Sequence, residues 1–216
     1  MTEILGPGIN DYLLAHCTPA DAVLRELAAE TAAALPPEYV GMQIAPDEGA
    51  LLTMLVRLTG ASNAVEVGTF TGFSSICIAR GLRPGGRLLC CDVSPEWTKV
   101  AREYWVKAGV DDRIELKLAP AVETLRALPA DPVIDFGFID ADKISYPAYY
   151  EELVTRLRPG GLLALDNVLR GGRVLHPTEP ADRVMAELND RIAHDERVDA
   201  VMLPVRDGVT LARRRD

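Results

Sequence analysis

The spacing of hydrophobic and polar residues changes near position 62 and divides the chain into two parts. In the first part, apolar residues recur at helical spacing and predict helices over Asn10–Cys17, Ala20–Leu35 and Ala50–Leu58. Thr18-Pro19 is expected to start the second of these helices, with Thr18 as its cap. We interpret residues 1–62 as a helical cap that packs over a sheet formed by the rest of the chain.

The second part, residues 63–216, follows the rhythm of an α/β fold, because short β-prone runs alternate with amphipathic helical segments. This predicts a doubly wound, mostly parallel, seven-stranded Rossmann-like sheet in a single domain of residues 1–216. An Asp-Gly turn near the end predicts a C-terminal antiparallel hairpin. The predicted strands are Asn63–Val67, Arg87–Asp92, Ile114–Leu118, Asp135–Ile139, Gly161–Leu165, Ala200–Val205 and Val209–Arg213, and the predicted helices are Thr71–Leu82, Glu96–Lys107, Ala121–Leu128, Tyr146–Leu157 and Ala181–Ala193.

Composition narrows the class of protein. The net charge of −9 argues against a nucleic-acid-binding protein, and no apolar run is long enough to span a bilayer. The stretch Met1–Asn10 lacks the features of a signal peptide, so we expect a cytoplasmic protein. The four cysteines show no CxxC spacing and are interpreted as reduced thiols of the core: Cys17, Cys77, Cys90 and Cys91.

A glycine loop joins the first predicted strand of the sheet to the helix that follows it. Gly68 and Gly72 allow the backbone to bend sharply and to approach a ligand, as loops at the crevice of doubly wound sheets do. Phe70 stands where the nicotinamide-binding motif G-x-G-x-x-G has its middle glycine. The loop therefore fits a dinucleotide pyrophosphate poorly.

Acidic residues at the ends of the first two strands bear on the identity of the cofactor. Glu66 is a poor neighbour for phosphates, but it would suit a cationic cofactor without phosphate, such as S-adenosylmethionine. Asp92 is placed to accept hydrogen bonds from ribose hydroxyls, which occur in both cofactor classes. Taken alone, Glu66 could be an ordinary strand-end carboxylate and Ser74 an ordinary hydroxyl in the first turn of a helix.

A second group of polar residues follows the fourth and fifth predicted strands. Asp140, Asp166 and Asn167 lie at carboxyl ends of parallel strands and can therefore converge with the glycine loop. Oxygen ligands of this kind suit Mg²⁺, whereas the lack of cysteine and histidine disfavours zinc. Each residue alone could be a cap or a turn residue, and Lys143 could be a surface lysine. Together they favour a metal site.

These motifs closely resemble the class I, metal-dependent O-methyltransferases, the caffeoyl-CoA and catechol O-methyltransferase group, over nearly the whole chain. The resemblance implies methyl transfer from S-adenosylmethionine to a hydroxyl of a vicinal aromatic diol, with Mg²⁺ or another divalent cation such as Mn²⁺ or Ca²⁺, in a homodimer. It implies Lys143 as the base and Asp140, Asp166 and Asn167 as metal ligands. The cofactor-binding residues that it implies are Met42, Glu66, Gly68, Phe70, Gly72, Ser74, Asp92, Ala119 and Asp140.

The sequence departs from the plant-type pattern just after the Asp-Asn pair, where Arg170 replaces an aromatic residue. Arg170 could be a solvated loop residue, or it could bind an acidic substrate. Trp97 and Trp105, on one predicted helix, are interpreted as packing residues, with the alternative that Trp97 approaches the adenine of the cofactor because it follows Asp92 closely. Two other functions stay open: a nicotinamide-dependent oxidoreductase, against which Phe70 counts, and a non-catalytic cofactor-binding homologue, which would need neither the acidic set nor Lys143.

Overall fold

Seven β-prone runs pair into one mixed sheet in the computed structural model, which describes residues 8–216 except for the side chains at positions 37 and 38. Most of the stretch Met1–Asn10, used above to argue against a signal peptide, lies outside the described residues. The strands are β1 (Asn63–Val67), β2 (Arg87–Asp92), β3 (Ile114–Leu118), β4 (Ile134–Ile139), β5 (Leu157–Asp166), β6 (Val198–Leu203) and β7 (Val209–Arg214).

The strands are arranged in the order β3-β2-β1-β4-β5-β7-β6. Strands β1 to β5 are parallel, and β7 runs antiparallel to both of its neighbours, β5 and β6. The predicted seven-stranded sheet with its C-terminal hairpin is therefore confirmed. Because the strand order reverses between β1 and β4, a crevice opens at the carboxyl ends of these two strands.

Helices cover the sheet and also form the N-terminal segment. Within residues 8–216, none of them has the length and apolar character needed to cross a membrane. The helices are α1 (Ile9–Ala15), α2 (Ala22–Ala34), α3 (Pro37–Val40), α4 (Pro46–Thr59), α5 (Phe73–Gly81), α6 (Pro95–Ala108), α7 (Ala121–Arg126), α8 (Tyr146–Val154) and α9 (Pro180–Ala193), with short 3₁₀ turns at Asp111–Arg113, Lys143–Ser145 and Arg170–Leu175.

Two helix starts differ from the prediction. The cap of α2 is Asp21, not Thr18, because the Asp21 side chain accepts a hydrogen bond from the backbone N–H of Leu24 at 3.0 Å. Helix α4 begins at Pro46, four residues earlier than predicted, with proline in its first turn. This earlier start places Asp47 and Glu48 in the first turn of α4.

The boundary between α8 and β5 was also predicted wrongly. Helix α8 ends at Val154, and Leu157 is a strand residue that pairs with Ile134. The register then shifts before Phe136 pairs with Leu162, and the turn residues in between lie within β5. Leu157 is buried, so its apolar side chain fits a strand as well as the helix that the sequence pattern favoured.

The two faces of the sheet support separate hydrophobic clusters. Successive side chains of β1 point to opposite faces of the sheet. Ala64 packs toward α4, α5 and α6, whereas Val65 and Val67 pack toward α8 and α9. Cys77 and Cys90 lie in the first cluster and Cys91 lies in the second. Glu66 shares the face of Ala64 and is fully buried, so a carboxylate occupies a position in the core.

Helices α4 and α5 pack closely against each other because small residues face one another at their contact. A Cβ atom at Gly81 would lie 2.7 Å from Cβ of Val56 and 2.9 Å from the carbonyl oxygen of Thr53. A Cβ atom at Gly49 would lie 2.9 Å from the Cys77 sulfur. These contacts leave no room for a side chain at Gly81.

We therefore expect Gly81→Ala to destabilise the protein by about 1–3 kcal/mol, because the added methyl group overpacks the contact between α4 and α5. Gly41→Ala is the matched control, since Gly41 has φ −71° and no atom near the position of an added Cβ; this change should be neutral or slightly stabilising. Urea unfolding of both variants measures the difference, and equal effects would contradict the close packing.

Candidate functional site

The carboxyl ends of the parallel strands open into a cavity of about 810 Å³. Its walls come from the loops after β1, β2, β4 and β5, from the segment that leads into α4, and from the turn between β6 and β7. The cavity thus lies where the strand order reverses, which is the usual ligand position in a doubly wound sheet.

The glycine loop after β1 requires glycine at two positions. Gly68 has φ 91°, and a Cβ atom there would lie 2.1 Å from the carbonyl oxygen of Asp140. Gly72 has φ 93°, and a Cβ atom there would lie 2.8 Å from Cβ of Ala101 in α6. Gly68 therefore allows the loops after β1 and β4 to touch, and Gly72 allows the start of α5 to approach α6.

The carboxylate of Asp92 fixes the shape of this loop. One of its oxygens accepts hydrogen bonds from the backbone N–H groups of Thr69 and Phe70, each at 2.9 Å, and the other accepts from the N–H of Ser94 at 2.8 Å. Asp92 also lines the cavity. Asp92 therefore holds the loop in place. The ribose-binding role predicted for it stays a prediction.

Glu66 lies beneath the glycine loop and is fully buried. The thiol of Cys90 donates a hydrogen bond to Oε2 at 3.2 Å, and Oε1 has no partner within the described part of the chain. Burial raises the pKa of Glu66 to about 7, and the polar side chains of Ser74, Cys90 and Thr69 around it limit the rise. A carboxyl group in this position is poised between its charged and neutral forms near neutral pH.

Most of the residues predicted to bind a cofactor line the cavity. Glu66 and Gly72 are outside its lining: Glu66 lies below the loop, and Gly72 faces Ala101 of α6. The cofactor-binding roles of these two residues stay predictions. The predicted residues that do line the cavity are Met42, Gly68, Phe70, Ser74, Asp92, Ala119 and Asp140.

The three predicted metal ligands, Asp140, Asp166 and Asn167, line the same cavity. Asn167 has φ 56°, and its side-chain amide donates a hydrogen bond to Asp166 Oδ2 at 2.9 Å. Burial, and then the charge of Asp140, raise the pKa of Asp166 to about 8, while Lys143 opposes this effect. Within residues 8–216, no group of three or more His, Cys, Asp or Glu side chains has a ready-made metal-binding arrangement.

Glu48 is a member of this acidic group that the sequence analysis did not single out. It lines the cavity from the first turn of α4 and is only 2% exposed. Burial, and then the charges of Asp166 and Asp140, raise the pKa of Glu48 well above its ordinary value. An acid in the first turn of a helix is common, so the sequence held no signal that it faces two others.

Lys143 is held in place by three hydrogen bonds. Its Nζ donates to Asp140 Oδ1 at 3.0 Å, to the carbonyl oxygen of Ala141 at 3.0 Å and to the hydroxyl of Tyr146 at 2.7 Å. Tyr146, also missed by the sequence analysis, is fully buried, and its hydroxyl lies 3.0 Å from the carbonyl oxygen of Asp166. Tyr146 thus links Lys143 to the end of β5.

Arg170 is held by an ion pair, so it is not simply a solvated loop residue, and its binding of an acidic substrate stays a prediction. It lines the cavity, but its Nε donates to the inaccessible carboxylate of Asp182 at 3.1 Å, and Arg173 donates to the same carboxylate at 2.9 Å. Two guanidinium groups therefore share one carboxylate at this wall of the cavity, which also carries the carboxylate of Asp207.

Trp97 and Trp105 have different surroundings. Trp105 is buried and donates to the hydroxyl of Ser75 at 2.8 Å, so its predicted packing role is confirmed. Trp97 instead lines the cavity, with its ring centroid 5.1 Å from that of Phe70 in an edge-to-face arrangement. Packing alone is an incomplete account of Trp97, because its helix begins at the cavity rim.

An ion pair joins the two ends of the chain across this site. The guanidinium of Arg206, in the turn between β6 and β7, donates from Nε to both oxygens of Asp47 at 2.9 and 3.0 Å. Both side chains are about nine-tenths buried. The pair therefore fixes the first turn of α4, and with it Glu48, against the C-terminal hairpin.

The sequence was compared with protein families and with known proteins. The family model described as O-methyltransferase matches residues 15–215. A Dictyostelium discoideum protein named "Probable caffeoyl-CoA O-methyltransferase 1" is 43% identical over 164 residues, which cover 73% of this chain and 71% of that protein. "Caffeoyl-CoA O-methyltransferase 2" of Zea mays is 39% identical over 186 residues, covering 80% of this chain and 70% of that protein.

The fold is shared with solved structures. An O-methyltransferase from Bacillus cereus, solved in complex with SAH, is 33% identical and superimposes with a TM-score of 0.86. The match covers 96% of this chain and 97% of that one. It therefore includes both the helical N-terminal segment and the sheet.

The burial of Glu66 predicts a pH-dependent cost to stability. Its pKa is about 7 in the folded protein against an ordinary 4.5, so the folded state loses stability relative to the unfolded state as pH rises from about 4.5 to about 7. Glu66→Gln removes this loss. We expect the stability of the variant relative to wild type to be greater at pH 8 than at pH 5 by roughly 2–3 kcal/mol.

Urea unfolding at the two pH values, without cofactor, measures this difference. Glu123→Gln is the control, because Glu123 is exposed on α7 and the change should alter the free energy of unfolding by less than about 0.5 kcal/mol at either pH. If the wild-type and Glu66→Gln curves stay parallel from pH 5 to pH 8, the carboxyl of Glu66 is not perturbed as described.

Proposed function

The chain belongs to the O-methyltransferase family, whose members use S-adenosylmethionine, and we propose that it methylates a hydroxyl of a catechol-like small molecule with the help of a divalent cation. The observation that carries the proposal is the position of the acidic group, Glu48, Asp140 and Asp166, in the same cavity as the glycine loop. Methyl donor and acceptor can therefore meet in one enclosed space.

The glycine loop side of the cavity suits S-adenosylmethionine. Gly68 leaves its backbone open to the cavity, Asp92 offers a carboxylate edge for ribose hydroxyls, and Ser74 adds a hydroxyl at the start of α5. Glu66 below the loop and Asp140 beside it supply negative charge for the ammonium group of the methionine part. Trp97 and Phe70 add an aromatic wall.

The acidic side suits a divalent cation such as Mg²⁺, Mn²⁺ or Ca²⁺. Asp140, Asp166 and Asn167 offer hard oxygen donors, and they would hold the ion. The buried oxygen Oε1 of Glu48, which has no hydrogen-bond partner within residues 8–216, supports this fit. A divalent cation lowers the pKa of a hydroxyl that it binds and orients that hydroxyl.

Lys143 is proposed to take the proton from the acceptor hydroxyl. A phenol has an ordinary pKa of about 10, so a base is needed near neutral pH. Nζ lies within hydrogen-bond distance of Asp140, Ala141 and Tyr146, which keeps it at the acidic side of the cavity. To act as a base it must be neutral, so it then donates to two of these groups and its lone pair is free for the hydroxyl proton. Since transfer from a sulfonium requires the acceptor oxygen to be in line with the methyl–sulfur bond, this fixed position contributes to the rate.

The wall of the cavity near Arg170 and Arg173 favours an acceptor that also carries an acidic group. Only one carboxylate, that of Asp182, forms ion pairs with these two guanidinium groups within the described part of the chain. Relatives named caffeoyl-CoA O-methyltransferases make caffeoyl-CoA one acceptor to test. We further propose that the chain works as a single-domain homodimer in the cytoplasm, which light scattering and cell fractionation can test.

A non-catalytic homologue remains the alternative to be excluded by experiment. The nicotinamide oxidoreductase considered from the sequence is set aside, because the chain belongs to a methyltransferase family. A non-catalytic homologue would bind the cofactor but would methylate no acceptor. Calorimetry with S-adenosylmethionine, followed by incubation with catechols and Mg²⁺ and mass detection of products, separates the two.

Metal dependence is the first test of the proposed reaction. Wild-type methylation of a catechol should stop in EDTA and return with added Mg²⁺. Variants with Asp140→Asn and Asp166→Asn should show no turnover at any Mg²⁺ concentration, because the oxygen donors lose their charge. Mass detection of the methylated product measures this, and unchanged turnover in EDTA would contradict the role of the ion.

Lys143→Met tests the base. The variant should lower kcat by about 10²–10⁴-fold, the usual contribution of general base catalysis. Its affinity for S-adenosylhomocysteine should change by less than about threefold, because the cofactor side of the cavity keeps its residues. Lys107→Met is the control, since Lys107 pairs with Glu26 on the surface. Equal losses of turnover and of cofactor affinity would make Lys143 a positioning residue.

A further inference from the structure

We propose that Glu48 is a further ligand of the divalent cation, so that a third carboxylate completes the group formed by Asp140, Asp166 and Asn167. The inference rests on the proposed function, because it assigns a residue to the metal site of that function. It adds a residue from α4, which lies far from the other three in the chain.

The position of Glu48 gives the first reason. Its side chain lines the cavity although the residue is only 2% exposed, and Asp140 and Asp166 line the same cavity. Within residues 8–216 these carboxylates do not form a ready-made site, so they would have to converge on the ion when it binds. The Oε1 atom of Glu48 is buried without a partner in the described residues. An unpartnered buried oxygen is costly, unless a ligand that occupies the cavity satisfies it.

The distribution of ion pairs gives the second reason. Of the six acids that line the cavity, Asp140 pairs with Lys143, while Asp92, Asp142 and Asp207 are not buried and accept hydrogen bonds from backbone N–H groups. Within residues 8–216, Glu48 and Asp166 form no ion pair, although both are buried. Two buried carboxylates without a basic partner match the charge of one divalent cation, and they repel each other without it.

The attachment of α4 gives the third reason. The ion pair between Asp47 and Arg206 holds the residue next to Glu48 against the C-terminal hairpin. The first turn of α4, which carries Glu48, is therefore held at the cavity by the residue next to it. A simpler role is also conceivable for Glu48: a neutral carboxylic acid that donates one hydrogen bond to Asp166. Glutamine can fill that simpler role, because its amide also donates, but it cannot supply a charged ligand.

The test is titration of the full-length protein with Mn²⁺, in the absence of acceptor, followed by calorimetry or by the electron paramagnetic resonance of free Mn²⁺. We expect Glu48→Gln to weaken Mn²⁺ binding at least about tenfold. Glu123→Gln, which removes a charge on exposed α7, should change it less than about twofold. The affinity of Glu48→Gln for S-adenosylhomocysteine without metal should equal that of wild type, and its Tm without metal should be at least as high.

Each outcome decides a separate point. Equal Mn²⁺ affinity in Glu48→Gln and wild type overturns the inference and leaves the proposed function intact. No Mn²⁺ binding by wild type, or full binding by Asp166→Asn, overturns the metal site of the proposed function itself. A parallel loss of S-adenosylhomocysteine affinity in Glu48→Gln also overturns the inference, because the defect then lies in the shape of the cavity. Glu48→Asp, which keeps the charge, should bind Mn²⁺ more tightly than Glu48→Gln.

Discussion

The backbone of Gly68 lies so close to the carbonyl of Asp140 that no side chain can stand between them, and the site depends on this contact. The N–H of Asp140 also donates to the carbonyl of Val67 at 2.8 Å. The loop after β1 and the loop after β4 are therefore one unit, at the place where the strand order reverses. Asp140 contacts the loop after β1 and also lies beside the acidic residues. The side of the cavity suited to the cofactor and the side suited to a cation therefore share this residue.

Ion pairs hold other walls of the cavity in place, one between segments 159 residues apart and two between neighbouring elements. Arg206 attaches the C-terminal turn to Asp47 in α4, while Arg170 and Arg173 attach the loop after β5 to Asp182 at the start of α9. These pairs are at the cavity rather than on the outer surface, so solvent screens them less than it screens exposed pairs. They give irregular loops a defined shape around a space that must stay open.

The sequence predicted the regular parts of this structure well and the long-range contacts poorly. Strands β1, β2 and β3 have the predicted ends, because short apolar runs bounded by turn residues define them. The start of β5 was missed, because a buried leucine such as Leu157 occurs equally well at the end of a helix and at the start of a strand. Glu48 was missed for a different reason: its partners are more than ninety positions away, and an acid at a helix start has an adequate local explanation. Glu66 and Gly72 were placed correctly in the loop, but the pattern could not tell that they lie behind the cavity wall.

The position of β7 has a consequence for the order in which the sheet can form during synthesis. Strand β7 lies between β5 and β6, so β6, although translated earlier, has no partner in the sheet until residues 209–214 have been made. Until then, one edge of β5 is unpaired, and an open edge of this kind favours association with other chains. The interval before residues 209–214 have been made is therefore the one in which the edge of β5 is open to association with other chains.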